Sequence, residues 1–180
     1  PTTNFDAPRL TKEVTGDFTL QTRLRGNWAT DYNGSGLTVH VGRTSVIRFE
    51  RGINGFGIPG QHIALLGFVD GRETGRGHIM FSNTDLYLRL ERKGNDFTGF
   101  VSLGGANWQR VAAVTVRFPE TVNAGLVLVN EYNNNTFQTT FSEFKLFQAG
   151  VSGFVPRPGL YRTQSSGLTY ELSAITANTM

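Results

Sequence analysis

Apolar and polar residues alternate along most of this chain of 180 residues. In the stretch 86–91 every second residue is a leucine, which is the period of a β-strand with one buried face. Comparable patterns, separated by turn residues, predict eleven strands at 18–24, 36–41, 45–51, 62–69, 77–81, 86–92, 97–103, 110–116, 124–130, 136–141 and 142–147. No stretch has helical periodicity with capping residues. The chain is therefore predicted to be all-β, with the strand spacing of a sandwich or jelly roll.

Two turns frame the clearest hairpin. The sequence Lys-Gly-Asn-Asp at 93–96 predicts a tight turn, because Gly and Asn tolerate positive φ. A second reversal is predicted at 104–107, which reads Gly-Gly-Ala-Asn. Trp108 follows this second turn, and we interpret it as a core residue that orders the end of the hairpin rather than as a surface aromatic.

The composition changes after Phe147. Residues 148–159 contain several prolines and glycines, which is typical of an extended linker. A further strand follows at 168–176, in which Leu168, Tyr170 and Leu172 share one face. Because a lone strand is not stable by itself, it must pair with this domain or with another chain. We therefore expect a sandwich at 1–147 and a linker plus a candidate donor strand at 148–180.

Composition and charge exclude several classes. The net charge is only +3, and acidic residues stand among the basic ones, whereas nucleic-acid binding requires clustered Lys and Arg with stacking aromatics. The absence of cysteine excludes disulfides, a Cys zinc site and thiol catalysis. No apolar run approaches the length that spans a membrane. The 22 glycines and 14 phenylalanines suit short strands that are joined by tight turns.

Residues typical of catalysis are sparse. Glycosidases use two cooperating carboxylates, but Glu50 and Glu91 each stand alone between arginines, which favour the ionised form and disfavour a general acid. The histidines at 40, 62 and 78 lie on separate predicted strands, without metal-ligand spacing. We therefore predict that the chain is not an enzyme and needs no cofactor.

Calcium is the metal for which the sequence offers candidates, since hard oxygens at loop tips can bind it. The candidates are Asp31 with Asn33, and Asp70 with Glu73. Turn formation explains the same residues equally well.

The segment "DAPRLTKEVTGDFTLQTRLRG" is followed in order by "GLTVHVG", "VIRFERG", "LYLRLERKGNDFTGFVSLGGANWQRVAAVTV" and "AGLVLVN…FSEFKLF". This order, over roughly 5–147, resembles the concanavalin A-like modules of bacterial extracellular proteins that occur beside glycosidase domains, a family largely of unknown function. The resemblance implies a two-sheet antiparallel jelly roll outside the cell or on its surface, with one curved sheet whose concave face binds glycans.

The chain departs from this pattern twice. Gly104 replaces an acid that relatives carry in the turn before the tryptophan. Relatives also have one or two strands before "APRL", whereas this sequence has six residues before Ala7. The resemblance therefore implies a sandwich whose first strand is missing, in a chain with a surplus strand at its C-terminal end.

Sugar binding needs a flat aromatic ring beside planar hydrogen-bonding groups. One candidate is Trp28 with Asp31 and Tyr32. Another is Asn130 with Tyr132, in an amide-rich loop.

The third candidate consists of Tyr87, Arg89 and Glu91, which point away from the leucines and would line a groove. A solvated cross-strand ladder is the alternative for this set. Asn33 and Asn134 match the N-glycosylation sequon in turn-like contexts.

Two functions fit these features. The first is a non-catalytic extracellular subunit that polymerises, because the C-terminal strand of one copy completes the sheet of the next. The alternative is a carbohydrate-binding, lectin-like monomer. We expect polymerisation first, since a strand is missing at one end and a surplus strand is present at the other.

Overall fold

The computed structural model describes residues 4–130 and 137–148 and the backbone of three further strands. Fourteen strands are present: β1 (Arg9–Thr15), β2 (Phe18–Gly26), β3 (Asn33–Val41), β4 (Ser45–Ile53), β5 (Gln61–Val69), β6 (Arg72–Met80), β7 (Asp85–Lys93), β8 (Asp96–Ser102), β9 (Gln109–Thr115), β10 (Thr121–Asn130), β11 (Thr139–Gln148), β12 (Val151–Phe154), β13 (Tyr161–Ser165) and β14 (Leu168–Leu172).

The strands form two six-stranded antiparallel sheets and one small sheet. The first sheet has the order β1-β10-β3-β4-β5-β6, and the second sheet has the order β12-β11-β2-β7-β8-β9. The chain crosses from one sheet to the other after β1, β2, β6, β9 and β10. The all-β antiparallel sandwich that the sequence predicts is therefore confirmed, and its crossovers are those of a jelly roll.

The core lies between the two sheets. Alternate residues of β4 and β5 point inward from the first sheet, and Leu86, Leu88 and Leu90 point inward from β7 of the second, all fully buried. The period-two pattern that predicted these strands is thus the pattern of their inner faces. In the described residues no helix is long and apolar enough to cross a membrane.

Both predicted turns of the hairpin are present. Lys93 pairs with Asp96, so that only two residues connect β7 to β8, and Gly94 has a φ of 57°. Gly105, in the second reversal, has a φ of 76°. These are backbone conformations that glycine adopts without steric cost.

The strands β1 and β11 differ from the expectation. The stretch Arg9–Thr15 forms β1, which pairs with β10 along its whole length, although its own alternation is weak. The two strands predicted at 136–141 and 142–147 are one strand, β11, which is interrupted by a bulge where Glu143 has a φ of 51°. A bulge shifts the alternation by one residue, which is why the pattern suggested two strands.

The C-terminal region contains more pairing than a lone strand. β12 pairs with the end of β11 through Leu146 and Gln148, within the stretch 148–159 that was predicted to be a linker. β14 pairs with β13, a strand that the sequence analysis did not predict, and the two form a separate antiparallel pair. The side chains of Leu168, Tyr170 and Leu172 lie outside the described residues.

The backbone of β4 lies so close to Gly36 of β3 that no side chain fits at this position. A Cβ atom at this position would lie 2.1 Å from the backbone oxygen of Phe49 on the neighbouring strand. Because that oxygen belongs to the sheet ladder and cannot move alone, Gly36→Ala is expected to lower the free energy of unfolding by about 2–3 kcal/mol. Gly104→Ala, where a Cβ would contact nothing within 4 Å, is the control and should change it by less than about 0.5 kcal/mol. Equal urea unfolding curves for the two variants would contradict the packing described here.

Candidate functional site

The outer face of the second sheet carries a polar and aromatic surface. Cross-strand pairing places Gln21 of β2, Arg89 of β7 and Phe100 of β8 in one row across three strands. We call this the Arg89 surface, and it comprises Gln21, Tyr87, Arg89, Glu91, Phe100 and Trp108. The structure thus brings the predicted set Tyr87, Arg89 and Glu91 onto one outward face, as their alternation with the buried leucines requires.

Arg89 is at the centre of this surface. Its guanidinium carbon lies 4.0 Å from the ring centroid of Trp108, within the range of a cation–π contact. Its Nη2 donates to Gln21 Oε1 at 3.3 Å, and its Nη1 lies 3.9 Å from Glu91 Oε1. Its Nε is buried and has no hydrogen-bond partner. The side chains of Arg89 and Glu91 are each 28% exposed.

The prediction that Trp108 is a core residue is wrong. Trp108 is only half-buried, and it lies on the outer face, over Arg89. Gly99 pairs with Ala112 and Phe100 with Arg110, which leaves Val111 as an extra residue in β9. This bulge shifts the alternation of β9 by one residue between Val114 and Trp108, so the inward phase of β9 does not extend back to the tryptophan.

Tyr87 does not offer a ring face for stacking. Its side chain is 9% exposed, and the backbone of Gly105 lies against the ring, where a Cβ would come within 3.2 Å. Its hydroxyl donates to Glu143 Oε1 at 2.9 Å. Burial raises the pKa of Tyr87, and the bond to Glu143 acts in the same direction. Tyr87 thus packs beneath the exposed residues of this surface and is not available to contact a ligand.

The carboxylate next to this surface is held by arginines. Asp85 accepts two hydrogen bonds from Arg23 and one from Arg25, each at 2.8 Å. The bonds from Arg23 are the main reason why the pKa of Asp85 lies below its usual range. A carboxyl group in this state accepts hydrogen bonds and is a poor general acid.

The structure corrects the prediction for Trp28. Its side chain is 1% exposed, and its ring lies 4.9 Å from the Arg51 guanidinium and 6.2 Å from the ring of Phe137. Burial lowers the pKa of Arg51 to about 10. A tryptophan in the core between an arginine and a phenylalanine cannot stack on a sugar. The turn-like sequence around Trp28 did not reveal this burial.

Asp31 and Tyr32 of the Trp28 candidate lie at the same end of the sandwich as Asn130 of the second candidate. Asp31 is exposed and accepts a hydrogen bond of 2.6 Å from Asn54 Nδ2. Tyr32 is 37% exposed, with a φ of 65°. Asn130 is buried at the end of β10 and accepts a hydrogen bond from Asn33. Tyr132 lies outside the described residues.

Asn33 is not available as a glycosylation site in the fold. Its side chain is buried, its Nδ2 donates to Asn130 Oδ1 at 2.9 Å, and its Oδ1 accepts from the backbone N–H of Thr30. A glycan on Nδ2 would need the space that Asn130 fills, so this prediction is wrong. Asn134 lies outside the described residues.

The candidate calcium ligands have other partners. Asp70 Oδ1 accepts a hydrogen bond from the Ser45 hydroxyl. Both carboxylate oxygens of Glu73 accept hydrogen bonds from Arg76 at 2.6 Å. The Asn33 side chain is bonded to Asn130 and Thr30. Within residues 4–130 and 137–148, no three His, Asp or Glu side chains form a group that could hold a metal. Calcium binding remains an untested prediction.

A second polar cluster, which the sequence analysis missed, lies on the outer face of the first sheet. Arg48 donates to Glu50 Oε2 from Nε at 2.9 Å and from Nη2 at 2.7 Å, and the two side chains are only 3% and 4% exposed. The ring of Phe56 covers the guanidinium at 4.8 Å. An apolar cluster that includes Ile58, Ala64 and Phe68 lies on the same face as this ion pair.

His62 completes this cluster. It is fully buried, its Nδ1 lies 3.0 Å from the carbonyl oxygen of Gly60, and its Nε2 has no hydrogen-bond partner. We call Arg48, Glu50 and His62 the Glu50 cluster. The alternation in "VIRFERG" places Arg48 and Glu50 on one face, but the sequence does not show that the 54–60 loop buries this face.

The burial of His62 predicts a pH-dependent stability. Burial is the main reason why its pKa lies below 6.5, with Arg51 and His78 acting in the same direction and Gly60 and Glu50 opposing them. Below pH 6.5 the unfolded chain binds a proton at this residue that the folded protein does not. The free energy of unfolding should therefore fall as the pH drops below 6.5, by up to about 1.4 kcal/mol per pH unit from this group.

Urea unfolding at pH 7.5, 6.5 and 5.5 tests this prediction. His62→Gln should lose less stability between pH 6.5 and 5.5 than the wild type does. The pKa of His40 is also lowered by burial, so His40→Gln serves as the matched comparison. An identical pH dependence for wild type and His62→Gln would contradict the prediction.

Comparisons with known proteins establish the fold. No protein-family model and no curated protein matches the chain. A protein from Saccharomyces cerevisiae that is described as functionally unknown matches with a TM-score of 0.66 and 17% identity, over 77% of this chain and 73% of its own. The carbohydrate-binding module CBM66 from Bacillus subtilis matches with a TM-score of 0.51 and 12% identity, over 76% of this chain and 78% of that one.

A third similar structure is a mutant of the GH43 protein BlXynB from Bacillus licheniformis. It matches with a TM-score of 0.66 and 10% identity over 74% of this chain, which spans only 28% of that protein. At such identities the similarity concerns the sandwich alone. It agrees with the jelly roll that the sequence predicts, whereas membership of the extracellular family of unknown function remains a prediction.

Proposed function

We propose that this chain is a non-catalytic carbohydrate-binding module, which acts outside the cell or on its surface and binds polysaccharide on the Arg89 surface. The observation that carries the proposal is the Arg89 guanidinium, stacked on Trp108 at 4.0 Å and bonded to Gln21. It presents an aromatic ring and planar polar groups side by side, as sugar recognition requires.

The similar structures support this choice. One of them is named a carbohydrate-binding module, and another is a GH43 protein of which the matching part is a fraction. A module of this fold therefore occurs in proteins that handle carbohydrates. The comparisons favour this function over fibre formation, which none of them suggests.

The charged groups near the Arg89 surface suit binding better than catalysis. Glycoside hydrolysis requires one carboxyl group that can donate a proton and a second carboxylate beside it. Here Asp85 is held by Arg23 and Arg25, and Glu91 lies beside Arg89. The third nearby carboxylate, that of Glu143, accepts a hydrogen bond from the Tyr87 hydroxyl.

Retention of the purified chain on polysaccharides tests the proposal. Xylan, arabinan, glucan, fructan, mannan and chitin form the panel, and affinity electrophoresis and pull-down measure retention. We expect retention on at least one polymer and at least tenfold weaker binding by Arg89→Met. Arg25→Met, an exposed arginine on the same face, is the matched control and should bind as the wild type does. No retention on any polymer, or equal binding by both variants, would overturn the proposal.

A second candidate function is self-assembly by strand donation, as the C-terminal strand suggested. The observation that supports it is the small β13–β14 sheet, which is separate from both large sheets. A two-stranded sheet is marginally stable alone, so docking against a second copy would stabilise it. Electron microscopy of the full chain, and of a chain that lacks 160–180, tests this function. Fibres formed only by the full chain would support it, whereas monomers at high concentration would exclude it.

A further inference from the structure

One row of outward-facing residues crosses five strands of the second sheet. Lys145 of β11 pairs with Gln21 of β2, which pairs with Arg89 of β7. Arg89 pairs with Phe100 of β8, which pairs with Arg110 of β9. Directly opposed residues of antiparallel strands present their side chains on the same face. We call these residues the basic row, and it extends the Arg89 surface on both sides to a further basic residue.

Basic side chains occupy every second position of this row. Neighbouring strands lie about 4.8 Å apart, so Lys145, Arg89 and Arg110 follow one another across the sheet at intervals of about 9.6 Å. Gln21 and Phe100 lie between them and provide an amide and an aromatic ring. A line of like charges at a regular interval is complementary to a linear polymer that carries the opposite charge in its repeat.

The two ends of the basic row carry charges that the fold does not neutralise. Lys145 and Arg110 are both exposed. Within residues 4–130 and 137–148, neither of them forms an ion pair. In the middle of the row, Arg89 lies 3.9 Å from Glu91, and both side chains are 28% exposed. The row as a whole is therefore positive, and its end charges are available to a ligand.

The other acidic residues near the row already have partners. Asp85 accepts hydrogen bonds from Arg23 and Arg25. Glu143 accepts one from the Tyr87 hydroxyl. These carboxylates are engaged next to the row, so the attraction of the row for an anion is not cancelled by a free acid among them.

The side chains of this surface select the class of ligand. Arginine and lysine bind carboxylates through charge-assisted hydrogen bonds. Phe100 and Trp108 are both half-buried, and their rings provide apolar area for the C–H groups of a sugar. A polyanion without sugar rings would use the charges alone. A polysaccharide of uronic acid units has carboxylates, hydroxyls and apolar ring faces together, and so matches every group of the row.

We propose that the basic row selects acidic polysaccharide, with uronate carboxylates on Lys145, Arg89 and Arg110 and the intervening sugar over Gln21 and Phe100. The inference rests on the proposed function, since it assumes that the Arg89 surface binds carbohydrate. It adds the class of polymer and two further binding residues, Lys145 and Arg110. The polymer lies across the strands, because the row runs perpendicular to them.

Two polymers that differ in charge but not in sugar test the class of ligand. Polygalacturonate and its methyl-esterified form are added to the polysaccharide panel, and affinity electrophoresis of the full chain measures binding. We expect the free acid to bind about tenfold more tightly than the ester, because only the acid offers charges to the row. Salt at about 0.5 M should remove this difference, since it screens attraction between exposed charges.

Substitutions at the ends of the row test the position of the ligand. Arg110→Gln and Lys145→Gln each remove one exposed charge, and each should weaken binding to polygalacturonate about fivefold. Binding to the ester should not change. Arg25→Gln removes the same charge from the same face outside the row, and as the matched control it should bind within about twofold of the wild type. Circular dichroism checks that all three variants are folded.

Three results would overturn this inference. They are equal binding to the free acid and its ester, equal losses from Arg25→Gln and Arg110→Gln, and binding of single-stranded DNA or dextran sulfate as tight as that of polygalacturonate. The last result would indicate a general polyanion surface only. Retention on a neutral polymer in any of these cases keeps the proposed function and removes the acidic specificity alone. A chain that no polymer retains, acidic or neutral, would disprove both.

Discussion

Glu50→Leu is expected to lower the free energy of unfolding by about 3–5 kcal/mol, because it removes the carboxylate from a buried ion pair. Arg48 and Glu50 are 3% and 4% exposed, and the ring of Phe56 lies over the guanidinium. The arginine therefore cannot exchange the lost carboxylate for water unless the 54–60 loop moves away. Denaturant unfolding at neutral pH measures the loss.

The double variant Arg48→Met/Glu50→Leu is the control for this prediction. Replacing both charges by apolar groups of similar size removes the buried charge together with its partner, which is often neutral or stabilising. We expect the double variant to be at least as stable as the wild type, to within about 1 kcal/mol. A loss below about 1 kcal/mol in Glu50→Leu alone would show that Arg48 reaches solvent and that the loop does not cover it.

Trp108→Ala should weaken polysaccharide binding by at least 30-fold, which corresponds to about 2 kcal/mol. The substitution removes the aromatic ring and also the cation–π contact that orients Arg89, at 4.0 Å. Arg89 retains its bond to Gln21, so the sheet itself should be little affected. Isothermal titration calorimetry with the polymer that the chain retains measures the change.

Phe147→Ala is the matched control for Trp108→Ala. Phe147 is an aromatic residue on β11 of the same sheet, is 52% exposed and lies outside the Arg89 surface. Its removal should leave the affinity within about twofold of the wild type. Equal losses from both variants would mean that exposed aromatic area in general, and not the stack on Arg89, drives binding.

The hairpin of β7 and β8 was predictable because its determinants are local. Alternating leucines define the inner face, and Gly94 at positive φ defines the turn. The outward set of Arg89 and Glu91 follows from the same alternation. In this strand the alternation of the sequence therefore assigns each of these residues to the correct face of the sheet.

The two tryptophans were predicted the wrong way round for a physical reason. Trp28 lies outside any strand and is buried by contacts with Arg51 and Phe137, which are distant in sequence. Trp108 precedes a bulge at Val111 of β9, which reverses the face that the alternation of β9 assigns to the tryptophan. Neither tertiary contacts nor bulges leave a periodic signal, so the turn-like context of Trp28 and the hairpin before Trp108 were misleading.

The Glu50 cluster could not be predicted from the sequence, because the residues that bury it belong to the 54–60 loop. Glu50 between two arginines resembles a solvated strand face. Only the contact of Phe56 with Phe68 and the presence of Ile58 in the same buried apolar cluster show that this face is enclosed. His62 likewise resembles an isolated strand histidine. Its unsatisfied nitrogen becomes apparent only when the neighbouring glycines and the Gly60 carbonyl are in place.

The indole N–H signals of the two tryptophans provide the most direct test of the central claim, that carbohydrate binds on the Arg89 surface. Two-dimensional ¹H–¹⁵N spectra are recorded while an oligosaccharide of the retained polymer is titrated into the full chain. We predict a saturable shift of the Trp108 indole and of the Arg89 Nε–H signals, while the indole of Trp28, buried in the core, stays in place. Saturable binding that leaves both Trp108 and Arg89 unchanged would contradict the account.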